Sequence, residues 1–283
     1  MSYILPPLPC RPQNWKPDLA TYPCIIQPKF NGIRCLLGPD GRAWSRTAKE
    51  FPGLVDYFEG QEYWLDGEIV DRLSLTQVDA PKSSSDYLHN PEALTLQSIN
   101  GLVMSHEPDT TQRNRLMLVV FDIIMPGMPQ FERLNTLMQL PLRDNQGMVL
   151  SKACDNWQYA KSHFDALAEC AEGIIYRDLT AEYQHGNSDA VLKRKKFRTK
   201  EYKCLSVHEG LGKYTGMFGG AVLELKTGQT FQCGGGNLTV ADRRKLWAAP
   251  PIGKMVTVKF PYYSDDNVPL QAQIESVRDE LYM

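Results

Sequence analysis

Five short segments carry the reactive side chains of this chain, and they follow one another in a set order. The first, residues 29–34, reads Lys-Phe-Asn-Gly-Ile-Arg and comes shortly after an apolar stretch. The other four bring carboxylates, an aromatic ring and paired lysines, and they lie at residues 66–68, 120–122, 172–177 and 192–195. Lysines, arginines and glutamates suit a group transfer that depends on positioning and charge stabilisation, which requires no histidine. A lysine near a glycine is common in proteins and indicates little by itself. The fixed order of all five segments makes the pattern specific.

In this order the five segments resemble the motifs of the covalent nucleotidyltransferases, the family of ATP-dependent DNA ligases, RNA ligases and mRNA capping enzymes. The resemblance implies that Lys29 is the nucleophile that becomes bonded to a nucleoside monophosphate. Asn31 stands where the family usually carries aspartate, and Ala48 stands where it usually carries glycine. Further segments resemble parts of small viral and bacterial DNA ligases, namely residues 131–134, 183–188, 212–216 and 252–258.

The resemblance also places a nucleotide around Lys29. It implies that Gln27 reads the edge of adenine, that Phe121 stacks on the adenine face, and that Arg34 faces phosphate or a DNA nick. Arg46 is expected to contact ribose or phosphate. The nucleotide implied is ATP, which would be held as covalent AMP.

Carboxylates and paired lysines complete the implied site. Glu68 and Glu172 are the expected ligands of a divalent metal, and Glu68 would also lie near the ribose hydroxyls. Mg²⁺ is the expected ion, with Mn²⁺ as a substitute, because a hard cation binds a few carboxylates plus phosphate oxygens. Lys193 and Lys195 alternate along a predicted strand, so both side chains point to one face, where they can grip the α-phosphate. Positive charges near Lys29 would favour the loss of its proton before attack.

The net charge of −2 does not itself indicate nucleic-acid binding, but basic residues are clustered. Residues 193–200 contain six lysines and arginines in eight positions, and a second cluster lies at 243–245. The resemblance implies nicked double-stranded DNA as the partner of a monomeric protein, and a nicked duplex could bridge both clusters. The residues predicted to contact nucleic acid are Arg194, Lys196, Arg243, Arg244 and Lys245.

Hydrophobic periodicity predicts an α+β fold for the first part of the chain. Strands are predicted over 63–70, 117–124, 173–176 and 190–197, and helices over 96–104 and 157–171. These elements fit one domain over residues 1–199. The resemblance identifies it as a nucleotidyltransferase (adenylation) domain.

The pattern changes after residue 200, where short strands are separated by glycine-rich turns. Strands are predicted over 202–207, 220–225, 230–233 and 254–260, and a helix over 240–247. Several short strands with glycine bends indicate a small barrel. The resemblance implies that residues 200–283 form an OB-fold domain.

The remaining features exclude several protein classes. No apolar run approaches the roughly 18 residues that span a bilayer, and residues 1–10 lack a secretory signal, so a cytoplasmic protein is expected. A phage-encoded protein acting in the host cytoplasm is a further expectation. The seven cysteines form no Cys-x-x-Cys pair, which predicts reduced thiols rather than a zinc site or a disulfide framework.

The function implied is that of a minimal ATP-dependent DNA ligase, which seals a nick between a 5′-phosphate and a 3′-hydroxyl. An RNA ligase or a capping-type guanylyltransferase is the alternative, although the barrel segments favour a DNA ligase. A catalytically silent nick-binding module is an alternative of another class, and the intact lysines and glutamates argue against it. Arg278 matches a terminal motif that would orient the pyrophosphate leaving group.

Overall fold

The computed structural model describes residues 5–78, 93–166, 172–264 and 266–277. The chain divides into two compact units, Met1–Lys195 and Lys196–Met283, called here the N-terminal unit and the C-terminal unit. Arg278 and the last part of the helix predicted over 157–171 lie outside the described residues.

The N-terminal unit contains strands and short helices in alternation. Its strands are β1 Cys10–Asn14, β2 Cys24–Lys29, β3 Ile33–Leu37, β4 Ala43–Ser45, β5 Trp64–Asp71, β6 Leu116–Ile124, β7 Gln146–Met148, β8 Lys152–Cys154, β9 Gly173–Asp178 and β10 Gly186–Lys195. Its α-helices are α1 Arg72–Val78, α2 Leu96–Met104, α3 Thr110–Arg113, α4 Gln130–Gln139 and α5 Trp157–Ala166, and Pro52–Leu54 forms a 3₁₀ turn.

These strands form two five-stranded sheets with the orders β1-β10-β9-β2-β8 and β4-β3-β5-β6-β7. The tight connection from β2 to β3 carries the chain from the first sheet to the second. Gly32 lies in this connection, and a Cβ atom there would be 2.2 Å from the carbonyl oxygen of Ile69. Only glycine therefore fits at this position, which explains the glycine that follows Lys29 in the sequence.

Apolar side chains on the second sheet form the larger core of this unit. Leu65, Ile69 and Leu118 are fully buried there and pack with Ile99 and Val103 of α2. The first sheet buries a smaller core, in which Cys24 and Ile26 of β2 pack with Ala160 of α5. Burial of these faces removes apolar area from water and fixes the ends of β2, β5 and β6.

Several predicted elements are confirmed. Strands β5 and β6 match the strands predicted over 63–70 and 117–124, and α2 has the predicted bounds 96–104. The strand predicted over 190–197 instead runs from Gly186 to Lys195, because its pairing with β1 begins at Gly186 and its pairing with β9 ends at Lys195.

Strand β1 was not predicted, because prolines interrupt the sequence before and within it. It lies at the edge of its sheet and pairs in parallel with β10. Pro12 lies at a shift in the pairing register, which is a position where an edge strand tolerates a residue without an N–H group.

The C-terminal unit is a closed barrel. Its elements are β11 Arg198–Glu209, a 3₁₀ turn at Gly212–Tyr214, β12 Phe218–Glu224, β13 Thr230–Gly234, α6 Val240–Ala248, β14 Met255–Phe260, β15 Tyr262–Tyr263, β16 Pro269–Leu270 and β17 Gln273–Val277. Five strands close the barrel in the order β11-β12-β13-β17-β14.

The barrel strands alternate between side chains that face the interior of the barrel and side chains that face outward. In β14, Val256, Val258 and Phe260 are fully buried and pack with Phe218 of β12 inside the barrel. Helix α6 begins at a capping box in which Thr239 and Asp242 each accept a hydrogen bond from the backbone of the other. The helix predicted over 240–247 and the barrel strands are thus confirmed. Among the described residues, no helix is both long and apolar enough to cross a membrane.

Candidate active site

A cavity of the N-terminal unit brings together five of the eight residues predicted to surround a nucleotide. Strand β2 contributes Gln27 and Lys29, β3 contributes Arg34, β5 contributes Glu68 and β6 contributes Phe121. The cavity therefore combines an amine, a guanidinium, a carboxylate and an aromatic ring, which is the set of groups expected around a nucleotide.

The carboxylate of Glu172 binds two lysines at this cavity. The Nζ atom of Lys29 donates to Oε2 of Glu172 at 2.5 Å, and Nζ of Lys195 lies 2.9 Å from Oε1. Strand register explains this arrangement, since Lys29 of β2 and Lys195 of β10 both pair with Gly173 of β9. The lysines thus flank the position that directly follows Glu172, which is 9% exposed.

Gly173 allows the three strands to approach one another at this point. Its φ angle is +152°, and a Cβ atom there would lie 2.1 Å from the carbonyl oxygen of Arg194. A side chain would separate β9 from β10 and move Lys195 away from Glu172. The glycine of the Glu-Gly-Ile-Ile-Tyr-Arg segment is therefore required by the geometry of the site.

Burial changes the ionisation of two further site residues. Burial raises the pKa of Glu68 to about 7, and the negative charge of Glu172 adds to this rise, while Lys29 and Arg34 oppose it. Burial also lowers the pKa of Lys193, and the positive charges of Lys195, Lys29 and Arg46 lower it further. Glu68 and Glu172 are the carboxylates at the site that have oxygens suited to a hard divalent cation.

Arg34 is anchored by a residue that was not predicted as part of the site. Its Nε and Nη2 atoms donate to the two carboxylate oxygens of Asp66 at 2.5 and 2.6 Å. Asp66 is fully buried and also accepts a hydrogen bond of 2.7 Å from the hydroxyl of Tyr183. The Arg34 guanidinium lies 4.5 Å from the centre of the Phe121 ring, so it covers the ring that was predicted to stack on adenine.

Arg177 is a second cavity residue that sequence reasoning missed. It ends the Glu-Gly-Ile-Ile-Tyr-Arg segment, so its position within that segment was the available signal. Its Nε atom donates to Oε1 of Gln27 at 2.7 Å, and its Nη1 atom donates to Asp122 at 3.0 Å. Asp122 is also paired with Arg133, at 2.9 Å, which makes this a buried ionic network behind the cavity.

Some predicted residues lie elsewhere. Arg46 is exposed in the turn after β4, yet its charge acts on Lys193. The prediction that Arg194 contacts nucleic acid is not supported, because its guanidinium packs 4.0 Å from the ring centre of Phe164 and also lies over Trp15 and Trp157. Its side chain points away from the paired lysines, as predicted, but into an aromatic cluster. Lys196 begins the C-terminal unit and is half-buried.

The basic cluster at 243–245 divides into one structural and two exposed residues. Arg243 is 4% exposed and donates to the backbone oxygens of Phe218, Leu238 and Gly236. Its prediction as a nucleic-acid contact is corrected, because its donors are occupied inside the barrel unit. Arg244 and Lys245 are exposed on α6, since the helical period turns them away from the side that Arg243 occupies.

Comparisons with known proteins agree with the fold described above. Residues 209–278 match the family model of the DNA ligase OB-like domain. A solved structure of a Lig E DNA ligase is 21% identical, covers 97% of this chain and all of its own, and superposes with a TM-score of 0.71. No curated protein matches the chain.

Two further solved structures are similar over nearly their whole length. A Chlorella virus DNA ligase-adenylate is 19% identical, with 96% of this chain and 98% of that chain covered and a TM-score of 0.50. The ATP-dependent DNA ligase of bacteriophage T7, in complex with ATP, is 14% identical, with the same coverage and a TM-score of 0.50. The resemblance predicted from the motifs is confirmed: residues 209–278 match the DNA ligase OB-like domain, and the chain has the fold of the solved DNA ligases.

Proposed function

We propose that this protein is an ATP-dependent DNA ligase that seals nicks in duplex DNA through an AMP bonded to Lys29. The observation that supports this most directly is the contact of Lys29 and Lys195 with one carboxylate, that of Glu172, at a cavity lined by Phe121. This contact supports a proposed nucleophile and phosphate-binding charges beside the Phe121 ring, which would stack on the base once the Arg34 guanidinium moves off it. The ligase fold supports the same class of reaction.

In the first step the amine of Lys29 attacks the α-phosphorus of ATP. A nitrogen–phosphorus bond forms, the bond from that phosphorus to the bridging oxygen breaks, and pyrophosphate leaves. The ammonium, which is paired with the Glu172 oxygen at 2.5 Å, must first lose its proton to solvent as that carboxylate turns to the cation. Lys193 and Lys195 lie where their charges can stabilise the α-phosphate during transfer.

Glu68 and Glu172 would hold Mg²⁺, which supplies charge neutralisation at the phosphates when it is bound. Within the described ranges, no three histidines, cysteines, aspartates or glutamates are grouped so that they could hold a metal ion. Two carboxylates nevertheless fit a cation that takes its remaining ligands from nucleotide phosphates and water.

In the later steps AMP moves from Lys29 to the 5′-phosphate of the nick, and the 3′-hydroxyl then attacks that phosphate and releases AMP. We assign adenylation to residues 1–199 and a share of DNA binding to residues 200–283. Arg244 and Lys245 are the exposed cations of α6 that would contact DNA phosphates. The protein would act as a monomer on nicked DNA.

Covalent labelling tests the proposal. The protein is incubated with ATP labelled at the α-phosphate and with Mg²⁺, and is then separated by denaturing electrophoresis. Label is expected on the unaltered chain and on Lys16→Ala, which removes an exposed lysine of the same unit, and it is expected to be absent from Lys29→Ala. Nicked DNA should then be sealed by the labelled protein.

The same assay separates the alternatives. Label from GTP only would indicate a capping-type guanylyltransferase, and sealing of RNA but not DNA nicks would indicate an RNA ligase. Binding of nicked DNA without any label would indicate a catalytically silent module. Undiminished label on Lys29→Ala would contradict the assignment of the nucleophile.

A further inference from the structure

We infer that Arg177 is a positioning residue that fixes the orientation of the Gln27 amide and thereby makes the cavity select a purine whose 6-position donates a hydrogen bond. The inference rests on the proposed function, because it concerns the base of the nucleotide that the cavity would bind. It concerns a residue that contacts Gln27 and Phe121 rather than the reacting atoms.

The Gln27 side chain is held by three partners. Gln27 is 1% exposed, and its Oε1 atom accepts a hydrogen bond of 2.7 Å from Nε of Arg177. Its Nε2 atom donates to the hydroxyl of Ser151 at 2.9 Å and to the backbone oxygen of Phe121 at 3.3 Å. Both hydrogens of the amide are therefore engaged, and Oε1 keeps one further lone pair.

The chemistry of these partners decides which way the amide faces. A guanidinium can only donate and a backbone carbonyl can only accept, whereas a hydroxyl can do either. Turning the amide over would set its NH₂ group against Arg177 and its oxygen against the carbonyl of Phe121. Arg177 and that carbonyl therefore fix the orientation, while Ser151 would tolerate both.

Arg177 is itself firmly placed. It is 4% exposed, its Nη1 atom donates to Asp122 at 3.0 Å, and its guanidinium lies 5.0 Å from the centre of the Phe121 ring. Asp122 is 1% exposed and also binds Arg133. Arg177 is held by its buried ion pair with Asp122, which Arg133 fixes in turn, so the donor that faces Gln27 has little freedom to turn away.

The consequence is a cavity wall that offers an acceptor and no donor at this side chain. The 6-amino group of adenine donates a hydrogen bond, which matches the free lone pair of Gln27 Oε1. The 6-oxo group of guanine or hypoxanthine accepts, so it would face another acceptor. Sites built around buried polar groups discriminate strongly against such mismatched ligands.

Equilibrium binding of ATP and ITP tests the inference. ITP differs from ATP in the 6-oxo group and the proton on N1, and it lacks the 2-amino group of GTP, so it changes only the edge of the purine that Gln27 would face. All measurements are made in Lys29→Ala protein, which cannot form the covalent adduct. The Lys29→Ala protein, which is the parent of the other variants, is expected to bind ATP more tightly than ITP, by about tenfold or more. In Arg177→Gln this ratio is expected to fall by about tenfold, because an amide at position 177 can pair with either orientation of Gln27.

Matched variants separate positioning from general damage. Ser151→Ala should leave the ratio unchanged, because the hydroxyl does not orient the amide. Gln27→Met should abolish the preference, and adding Arg177→Gln to Gln27→Met should change the ratio no further, since the arginine acts through Gln27. Melting is recorded for each variant. If Arg177→Gln does not fold, Gln27→Met still decides, because a preference that survives it overturns the inference.

Other results are equally decisive. An equal loss of affinity for ATP and ITP in folded Arg177→Gln would show a purely structural arginine and overturn the inference. A parent that binds neither nucleotide would also overturn it. If the intact chain forms no covalent adduct but the binding ratios change as expected, the proposed ligase function fails and the role of Arg177 stands.

Discussion

The Nζ atom of Lys29 lies 2.5 Å from Oε2 of Glu172, so the proposed nucleophile is held by a proposed metal ligand. The other oxygen of the same carboxylate binds Lys195. Glu172 therefore neutralises the charges of two lysines. A cation and a triphosphate that engage Glu172 and Lys195 would free Lys29, which couples binding to activation of the amine.

Replacing Glu172 with glutamine should affect both chemistry and stability. Covalent labelling of Lys29 by ATP is expected to fall by at least about tenfold, because a metal ligand is lost. The free energy of unfolding should fall by about 1–3 kcal/mol, because partly buried lysines lose a hydrogen-bonded charge partner. Labelling kinetics and thermal melts measure the two effects.

The matched control is Asp165→Asn, which removes the exposed ion pair between Lys161 and Asp165 on α5. Exposed pairs contribute less than about 1 kcal/mol, so labelling and melting should hardly change. Full labelling by Glu172→Gln would show that this carboxylate has no part in the transfer.

The pKa of Glu68 predicts how stability depends on pH. Because burial, with Glu172 adding, raises this pKa from 4.5 to about 7, the folded protein holds a proton between these values that the unfolded chain releases. The free energy of unfolding should therefore decrease as the pH rises through this window. Glu68→Gln should flatten the decrease and should melt at a higher temperature than the unaltered chain at pH values above about 7.

Melting curves without divalent cations, recorded across that pH window, check this expectation. Glu107→Gln, which changes an exposed glutamate of the same unit, should keep the original slope. If Glu68→Gln shows the same pH slope as the unaltered chain, Glu68 is ionised in the fold and does not bind the proton.

The ordered segments predicted which side chains lie together, and strand pairing brings several of them to one place. Lys29 and Lys195 are far apart in the chain, yet each ends a strand and pairs with Gly173. The place of a lysine at the end of a strand therefore follows from the pairing of that strand. The anchors Asp66 and Arg177 were missed, since their partners are set by packing between strands. A cluster of basic residues in the sequence likewise does not predict which side chains face solvent. Arg243 and Arg244 are neighbours, yet Arg243 is buried and Arg244 is exposed.

Ala48 occupies a position at which glycine is expected to be more stable. Its φ angle is +58°, in the left-handed region, within the turn that carries Arg46. Relief of about 1–2 kcal/mol of backbone strain exceeds the entropy cost of a glycine, which is about 0.5–1 kcal/mol. Ala48→Gly should therefore raise the free energy of unfolding by about 0.5 kcal/mol.

Denaturant titration provides the measurement for this turn. Ala153→Gly, in an exposed position of β8 that does not have a positive φ, should instead lower the free energy of unfolding by about 0.5–1 kcal/mol. Equal destabilisation by both substitutions would show that the Ala48 backbone carries no strain.

The basic residues of α6 should separate into a folding role and a DNA-binding role. Arg243→Met removes a buried guanidinium that donates to three backbone oxygens, which leaves buried acceptors without partners. The free energy of unfolding should fall by about 1–3 kcal/mol or more. Arg244→Gln with Lys245→Gln removes exposed charges, so the melting temperature should hardly change.

The affinity for DNA should depend on the two exposed residues, Arg244 and Lys245, although they contribute little to stability. Contacts with phosphates release counterions, so the affinity for a nicked duplex falls with salt, and each lost contact lowers the slope by about one unit. The Arg244→Gln and Lys245→Gln double variant should therefore bind more weakly at low salt and show a slope smaller by up to about two units. Adenylation of Lys29 should persist in it, because that step does not involve DNA. An unchanged salt slope together with lost sealing would place the role of these two residues in a step after DNA binding.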